Sequence, residues 1–320
     1  MPFFYRKYMS LKKFNEKNRT FDCNASLNDS EVLDFCRKGY LICKNAVSDD
    51  VNKKTLDYLK GNIEINPIYV PDNLTIEILK EIRLSIEPST ILLEDWFIKN
   101  VLLNKFLIEA LRSLLGANVG LPVMVSNHRI KGKNKEQGWH HDADCIYSPE
   151  INFLEVFYYP QDTLKEMGPT EIYPGSHIGP VNNPEKKLNT YEPELLELPK
   201  GSLVIHHQSL LHRRAKSTSD KERFMLKFNF WRTENPKRDW IIENNFNFSS
   251  AYYGGHLTAR YVAHMFYWLC GKVDQFKLIG GQAWPWKSKN QIGPSYGFNS
   301  KNGHLPDWDW LTEDKYSKNF

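Results

Sequence analysis

The stretch Gly138-Trp139-His140-His141-Asp142, followed about seventy residues later by Leu210-Leu211-His212, carries the strongest structural signal in the chain. In an extended strand the side chains alternate between faces, so His140 and Asp142 share one face and His141 points away. Two histidines and one carboxylate form a facial ligand set that suits Fe(II) and leaves three coordination positions open. Because one strand supplies two ligands, we expect the third to come from another strand across a barrel.

Three histidines could supply the distal ligand. His206 and His207 lie inside an apolar strand pattern, where a buried or supporting histidine is favoured, whereas His212 falls at a strand end from which it can reach a metal. We therefore predict His140, Asp142 and His212 as metal ligands and as the centre of catalysis. The alternative interpretation of His140 and Asp142 is a buried salt bridge that binds no metal.

Length and composition favour one soluble domain. The 320 residues, 41% hydrophobic and 13% aromatic, are enough to bury a substantial core. The net charge of +4 gives no strong case for nucleic acid, and no apolar run approaches a membrane span. The five cysteines form no CxxC pair, which favours reduced thiols. We therefore expect a cytoplasmic monomer or homodimer that acts on a small-molecule substrate and binds neither nucleic acid nor membrane.

The first part of the chain, residues 1–120, is predicted to form a helical layer. Asn28-x-x-Glu31 is typical of a capping box at a helix start, and Gly39 is placed as the stop of that helix. Further on, the stretch from Trp96 to Leu115 is apolar at helical spacing. The pattern predicts helices that pack on a sheet.

The middle part, residues 121–232, changes to strand patterns. The predicted strands are Pro122–Ile130, Phe153–Tyr159, Ser202–His206 and Phe224–Trp231. Short strands that carry metal ligands predict a double-stranded β-helix, a jelly-roll or cupin-like core. The last part, residues 233–320, is rich in Trp and Tyr around one apolar helix, Leu257–Cys270. The predicted fold class is thus mainly β with flanking helices, a single domain over 1–320 whose C-terminal extension is a lid or an interface.

Several motifs occur in the order and spacing of one family. Cys36–Ile42 resembles its F-x-x-x-G-Y opening, and Trp139–Asp142 its W-H-x-D motif. Gly168–His177 resembles its P-G-S-H turn, and Gly201–His212 its strand that ends in L-H. Arg223 lies eleven residues past His212. With these motifs the chain resembles the phytanoyl-CoA dioxygenase (PhyH) family of Fe(II)/2-oxoglutarate-dependent oxygenases over roughly residues 30–232.

The resemblance implies Fe(II), 2-oxoglutarate and O₂ as cofactor and co-substrates, with hydroxylation of a C–H bond and decarboxylation of 2-oxoglutarate to succinate and CO₂. Arg223 would bind the distal carboxylate of 2-oxoglutarate, because strand alternation can place its guanidinium in the barrel interior. The alternative is that this face of the strand meets solvent. Asn127, thirteen residues before His140, and Thr170 are predicted as further co-substrate contacts.

The sequence also predicts residues on the substrate side of the site. Residues predicted to face the substrate or the barrel interior are Tyr147, Arg214, Arg260 and Trp284. Arg214 stands two residues past His212, where the family often carries a small hydroxyl residue. Because Asp142 is retained, hydroxylation is favoured over halogenation. Desaturation or ring closure at the same site, or a metal-binding jelly roll without catalysis, stay open as alternatives.

Overall fold

The computed structural model describes residues 27–61, 89–122, 124–142, 150–177, 192–238, 256–271, 298–299 and 305–306. The longer helices in these ranges are α1 (Asp29–Lys38), α2 (Asp49–Gly61), α3 (Lys105–Leu115) and α4 (His256–Leu269). The strands are β1 (Tyr40–Cys43), β2 (Val119–Gly120), β3 (Val125–Asn127), β4 (Ile130–Lys131), β5 (Phe153–Tyr159), β6 (Thr170–Ile172), β7 (Glu194–Leu195), β8 (Ser202–His207), β9 (His212–Arg214), β10 (Glu222–Arg223), β11 (Leu226–Arg232), β12 (Phe298–Asn299) and β13 (Leu305–Pro306).

The strands form a large antiparallel sheet that faces smaller ones. The large sheet has the order β1-β8-β5-β11-β2, with β3 also paired to β11. The smaller sheets that face it are β7-β6-β9 and the pair β10-β4, and β12 pairs separately with β13. Side chains of both groups, among them Phe157 and Val204 from the large sheet and Ile172 from β6, share one buried apolar cluster. The described strands therefore enclose an interior between two layers.

Helices cover the outer face of the large sheet. Alternate residues of β11, including Leu226 and Phe228, are buried in a cluster with Phe35 of α1 and Leu111 of α3. The residues between them point the other way, so that Lys227 lies on the interior face. The interior of the jelly roll can therefore carry polar side chains while the outer face supplies the main apolar core.

The first helix has the ends that the sequence predicts. Asn28 accepts a hydrogen bond from the Glu31 amide at 2.8 Å, and the Asn28 amide donates to the Glu31 carboxylate at 2.9 Å. Gly39 ends the helix with φ 84°, a left-handed conformation that disfavours side chains. The capping-box prediction is confirmed.

The predicted helical layer is interrupted in two places. Residues 40–43 form β1, which pairs with β8 at the edge of the large sheet. The apolar stretch from Trp96 to Leu115 is not one helix: a short helix and a π-helical turn, Ile98–Leu102, precede a new helix that is capped by Asn104. Asn104 accepts hydrogen bonds from the amides of Phe106 and Leu107. These side-chain hydrogen bonds start a new helix at Asn104 in place of a continuous one. The periodicity of apolar residues does not reveal such a break.

Little of the predicted C-terminal extension is described. Residues 233–238 follow β11, and Arg238 forms a buried ion pair with Asp29 at 2.8 Å. The predicted helix Leu257–Cys270 corresponds to α4, which packs against α1. In the described ranges no helix is both long enough and apolar enough to cross a membrane. A lid or interface role for residues 233–320, and the single-domain organisation, stay predictions.

Candidate metal centre

The two predicted histidine ligands lie side by side on paired backbone. The His140 amide donates to the His212 carbonyl, and the His212 amide to the His140 carbonyl, each at 3.0 Å. Directly paired residues of antiparallel strands point to the same face, and the two ring centroids are 4.6 Å apart. The expectation that the third ligand comes from across the barrel is therefore wrong. His212 comes from the neighbouring strand because the chain returns beside the His-x-Asp segment.

His140, Asp142 and His212 offer ligand atoms that all lie within 4.8 Å of one another. The Nδ1–H of His140 donates to the Gly138 carbonyl and that of His212 to the Leu210 carbonyl, each at 3.0 Å. With Nδ1 used as a donor, the neutral ring keeps a lone pair on Nε2. These three residues could therefore hold a divalent metal ion.

The electrostatics favour neutral histidine at this place. Burial lowers the pKa of His212 to about 4, even though its Nε2 lies 3.6 Å from an Asp142 oxygen. His141 points away, as alternation predicts, and its Nδ1–H donates to the Ser209 carbonyl at 2.8 Å. A neutral imidazole is the form that binds a metal.

A second carboxylate and an ammonium lie beside Asp142. The Lys227 ammonium is 2.6 Å from an Asp142 oxygen and 3.1 Å from a Glu155 oxygen. Burial, and next the hydrogen bond with Asp142, raise the pKa of Glu155 to about 8. Although burial alone would raise it, the hydrogen bond with Glu155 and the Lys227 charge hold the pKa of Asp142 far below its usual range. Asp142 therefore keeps its negative charge for a cation.

Sequence reasoning did not single out Glu155. The signal was present, because a charged residue stands in the middle of the otherwise apolar strand Phe153–Tyr159. The alternation of β11 had placed Lys227 on the face opposite the apolar core, but its partners become visible only once β5 and β11 pair.

Arg223 is a buried cation, only 2% exposed, and like Asp142 and His212 it lies within electrostatic reach of His128. One of its Nη atoms donates to the His128 carbonyl at 3.2 Å. Within the part of the chain that the structure describes, its Nε and other Nη find no acceptor. Burial lowers the pKa of the guanidinium to about 10, so it is still charged at neutral pH. Two unused donors in a fork match a carboxylate group.

Thr170 and Arg214 lie on the same interior face as the distal histidine. Thr170 pairs directly with Arg214 in the β6-β9 register. Arg214 follows His212 by two residues in β9, so the two side chains share one face of the strand. The Thr170 hydroxyl accepts a hydrogen bond from Tyr159 at 2.9 Å. Arg214 also lies within electrostatic reach of Arg223. Their placement is compatible with the predicted roles, which stay predictions.

The register gives no support for Asn127 as a co-substrate contact. Asn127 pairs with Leu226, which belongs to the helix-facing apolar cluster, so the pair points away from the interior. Ser126 pairs with Lys227 and faces inward, and the His128 ring lies 3.3 Å from the Ser126 hydroxyl. Spacing along the chain does not reveal which face a residue takes, whereas pairing does.

Three predicted substrate residues cannot be placed. Tyr147 and Trp284 lie outside the described residues, and Arg260 lies in α4 with a side chain that is also outside them. Further along the same helix, His264 is fully buried.

The fold and the site together define a class: a jelly-roll protein with a facial centre of two histidines and one carboxylate, beside a buried guanidinium. The comparison with known families agrees with this class. The chain matches the model of the phytanoyl-CoA dioxygenase (PhyH) family over residues 35–225. Since this is more than half of the chain, the protein belongs to the PhyH family.

One curated relative extends the comparison. The probable alpha-ketoglutarate-dependent hypophosphite dioxygenase of Stutzerimonas stutzeri is 27% identical over 138 residues, which cover 38% of this chain and 48% of the relative. The chain thus matches about half the length of that relative.

Solved structures resemble the fold. The crystal structure of EctD from S. alaskensis with 2-oxoglutarate and 5-hydroxyectoine is 18% identical, with a TM-score of 0.51 over 65% of this chain and 77% of that chain. EctD with bound Fe is 17% identical, with a TM-score of 0.50 over 65% and 78%. At this identity the likeness concerns the fold, and it confirms the predicted jelly roll.

The family's description, phytanoyl-CoA dioxygenase, agrees with the predicted enzyme class, an oxidoreductase. The descriptions of the relatives name alpha-ketoglutarate, 2-oxoglutarate and Fe, which are the cofactor and co-substrate predicted from the sequence.

Proposed function

We propose that this protein is an Fe(II)- and 2-oxoglutarate-dependent dioxygenase that hydroxylates an unactivated C–H bond of a small-molecule metabolite. One observation carries the proposal: three residues that could hold a metal ion lie in the same interior as a buried arginine with two unused donors. The first feature fits Fe(II), and the second fits the carboxylate of a bound organic acid. Family membership supports the combination.

The ligands would be the Nε2 atoms of His140 and His212 and one oxygen of Asp142. The hydrogen bonds from Nδ1 to backbone carbonyls hold both rings in one tautomer and one orientation. No proton then has to leave either ring when a metal binds. Bound iron, with O₂ and 2-oxoglutarate, supplies oxygen insertion coupled to decarboxylation of 2-oxoglutarate to succinate and CO₂.

Arg223 would orient the co-substrate. Its fork can take the distal carboxylate of 2-oxoglutarate in two parallel hydrogen bonds and neutralise its charge in a place that excludes water. The hydroxyls of Thr170 and Tyr159 lie 2.9 Å apart in the same interior and add polar contacts there. Binding energy at this end would hold the reacting end beside the metal.

The proposed substrate class draws on the relatives and on the charge of the chain. The relatives' descriptions name hypophosphite and 5-hydroxyectoine, both small molecules. The mild net charge supports a partner other than nucleic acid.

Three cysteines, Cys36, Cys43 and Cys270, are free thiols, which supports a cytoplasmic location. Monomer or homodimer stays a prediction.

The test is an anaerobic titration of the protein with Fe(II) and then with 2-oxoglutarate, followed by the visible charge-transfer band of the chelate and, after air is admitted, by succinate release. Wild type should give the band and slow succinate formation. His212→Ala should lose about 100-fold or more in Fe(II) affinity and give no band, because a ligand is gone. His141→Ala, the neighbour that points away, is the matched control.

Two results would contradict the proposal. If wild type binds Fe(II) but forms no band with 2-oxoglutarate, the co-substrate is wrong. If His212→Ala and wild type give the same band, the ligand assignment is wrong.

A further inference from the structure

The predicted metal centre has one more carboxylate next to it than a facial site uses. Glu155 projects from the middle of β5, with its side chain only 4% exposed. Its carboxyl group lies in hydrogen-bond reach of Asp142. A divalent cation bound at His140, Asp142 and His212 would thus meet a fourth oxygen donor nearby. A centre with two histidines and two carboxylates has fewer positions left for a chelating co-substrate and for O₂.

Lys227 is placed to prevent that coordination. It lies on the interior face of β11, and its ammonium contacts both carboxylates, at 2.6 Å from Asp142 and 3.1 Å from Glu155. The side chain is 15% exposed, so water screens these pairs only weakly. One buried cation therefore occupies the space between the metal ligand and its neighbour.

The second oxygen of Glu155 lies next to a histidine of β8, the strand that pairs with β5. It lies 3.6 Å from Nε2 of His206, a residue of β8 that is 1% exposed. The Nδ1–H of His206 donates to the His207 carbonyl at 3.1 Å, which fixes the ring. The Lys227 contact thus holds Glu155 against β11, while the His206 ring, whose Nε2 carries a lone pair, lies beside the other oxygen.

The charges decide what happens without the lysine. Two carboxylates at close range in a buried place repel each other. A divalent cation relieves that repulsion most when both carboxylates coordinate it. With the ammonium present, both carboxylates already have a cation beside them, Asp142 at 2.6 Å and Glu155 at 3.1 Å, so Glu155 gains less from a metal ion.

We propose that Lys227 is a positioning residue that withholds Glu155 from the metal, so that the centre keeps one carboxylate ligand and open positions for 2-oxoglutarate and O₂. This inference rests on the proposed function. It assigns a role to a Lys–Glu pair that the ligand motif does not contain.

The experiment compares wild type with Lys227→Met, Glu155→Gln and the double variant. Fe(II) and Mn(II) affinities are measured anaerobically by calorimetry, and 2-oxoglutarate binding by the visible band. Lys227→Met should bind either metal about tenfold or more tightly, because a second carboxylate joins and a positive charge leaves. It should bind 2-oxoglutarate at least about 100-fold more weakly, because a position that the chelate needs is taken.

The double variant tests the cause. Lys227→Met combined with Glu155→Gln removes the extra carboxylate, so it should regain the band to within about fivefold of wild type. Glu155→Gln alone should keep the band, and Lys227→Arg should keep it because the charge remains. Lys221→Met, a change at an exposed lysine, is the matched control. If Lys227→Met does not fold, Lys227→Gln carries the same test with a polar side chain.

The outcomes are distinguishable. A band in wild type that persists unchanged in Lys227→Met overturns the inference and leaves the proposed function intact, and Lys227 would then be a substrate contact or a structural residue. Loss of the band in both the single and the double variant also overturns it, because the defect would not depend on Glu155. No band in wild type refutes the proposed function and the inference with it.

Discussion

Replacing Arg223 by methionine should weaken 2-oxoglutarate binding and at the same time stabilise the protein. The guanidinium is 2% exposed and has two donors without acceptors among the described residues. Each hydrogen bond from a charged donor to the carboxylate contributes about 1.5–3 kcal/mol, so two contribute about 3–6 kcal/mol. Part of this is offset by desolvation of the ligand, and we expect the dissociation constant to rise by about 10²–10⁴.

The stability of the ligand-free protein should move in the opposite direction. Burial lowers the pKa of Arg223 from 12.5 to about 10, which corresponds to about 3 kcal/mol of cost for the charged form. Methionine fills a similar space without a charge, and it forfeits one hydrogen bond, to the His128 carbonyl, of about 1 kcal/mol. The free energy of unfolding should therefore rise by about 1–3 kcal/mol.

Two assays separate these effects. Anaerobic titration of the Fe(II)-loaded protein with 2-oxoglutarate gives the dissociation constant, and urea denaturation of the metal-free protein gives the unfolding free energy. Arg129→Met is the matched control, because Arg129 directly precedes β4, the strand that pairs with β10 of Arg223, but its side chain pairs with Glu222 and is about one-third exposed. Binding that changes less than about threefold in Arg223→Met would refute the carboxylate assignment. A lower unfolding free energy would refute the argument that the buried cation is costly.

Two further predictions concern the scaffold. Gly39→Ala should lower the free energy of unfolding, measured in urea, by about 2–4 kcal/mol, because φ of Gly39 is 84° and the new Cβ would overlap the His177 ring. Gly61→Ala is the control and should change that free energy by less than about 1 kcal/mol, because the space around Gly61 is open. Equal effects of the two substitutions would refute the packing argument. Burial lowers the pKa of His177 to about 4 and that of His206 to about 3. Below about pH 6.5 the unfolded chain therefore binds more protons than the folded protein, and acid destabilises the fold. At pH 5 each histidine should have cost about 2 kcal/mol of the stability present above about pH 6.5. The raised pKa of Glu155 has the opposite effect on stability, but it is one group against two histidines. The urea midpoint should therefore decrease as the pH is lowered from 7 to 5, and a midpoint that stays constant or increases would contradict the neutral-histidine assignment.

Local features were predictable from the sequence because their causes are local. The capping box at Asn28 and Glu31 depends on residues three apart, and both of its hydrogen bonds are present. The strand Phe153–Tyr159 has the bounds that its apolar and aromatic run predicts. The motifs around His140 and His212 were sufficient to name the family, because the order and spacing of motifs are read from the sequence and do not depend on which strands pair.

Where residues meet was not predictable from spacing. His140 and His212 are about seventy residues apart in the chain, and pairing makes them neighbours rather than residues facing across a barrel. Asn127 stands at the expected distance before His140, yet its partner Leu226 sets the face it takes. A shift of one residue in register reverses the face, and periodicity within one strand cannot detect it.

By itself, the sequence was enough to propose the ligand set, to recognise the family and to predict the alternation that places Lys227 on the face opposite the apolar core. Tertiary structure alone decided that Lys227 lies between Asp142 and Glu155, and that Arg223 is buried with two donors unused. The reason is physical. The protonation and the charge balance of a buried group depend on which other groups are brought within a few ångströms of it, and only the pairing of strands distant in the chain sets those distances.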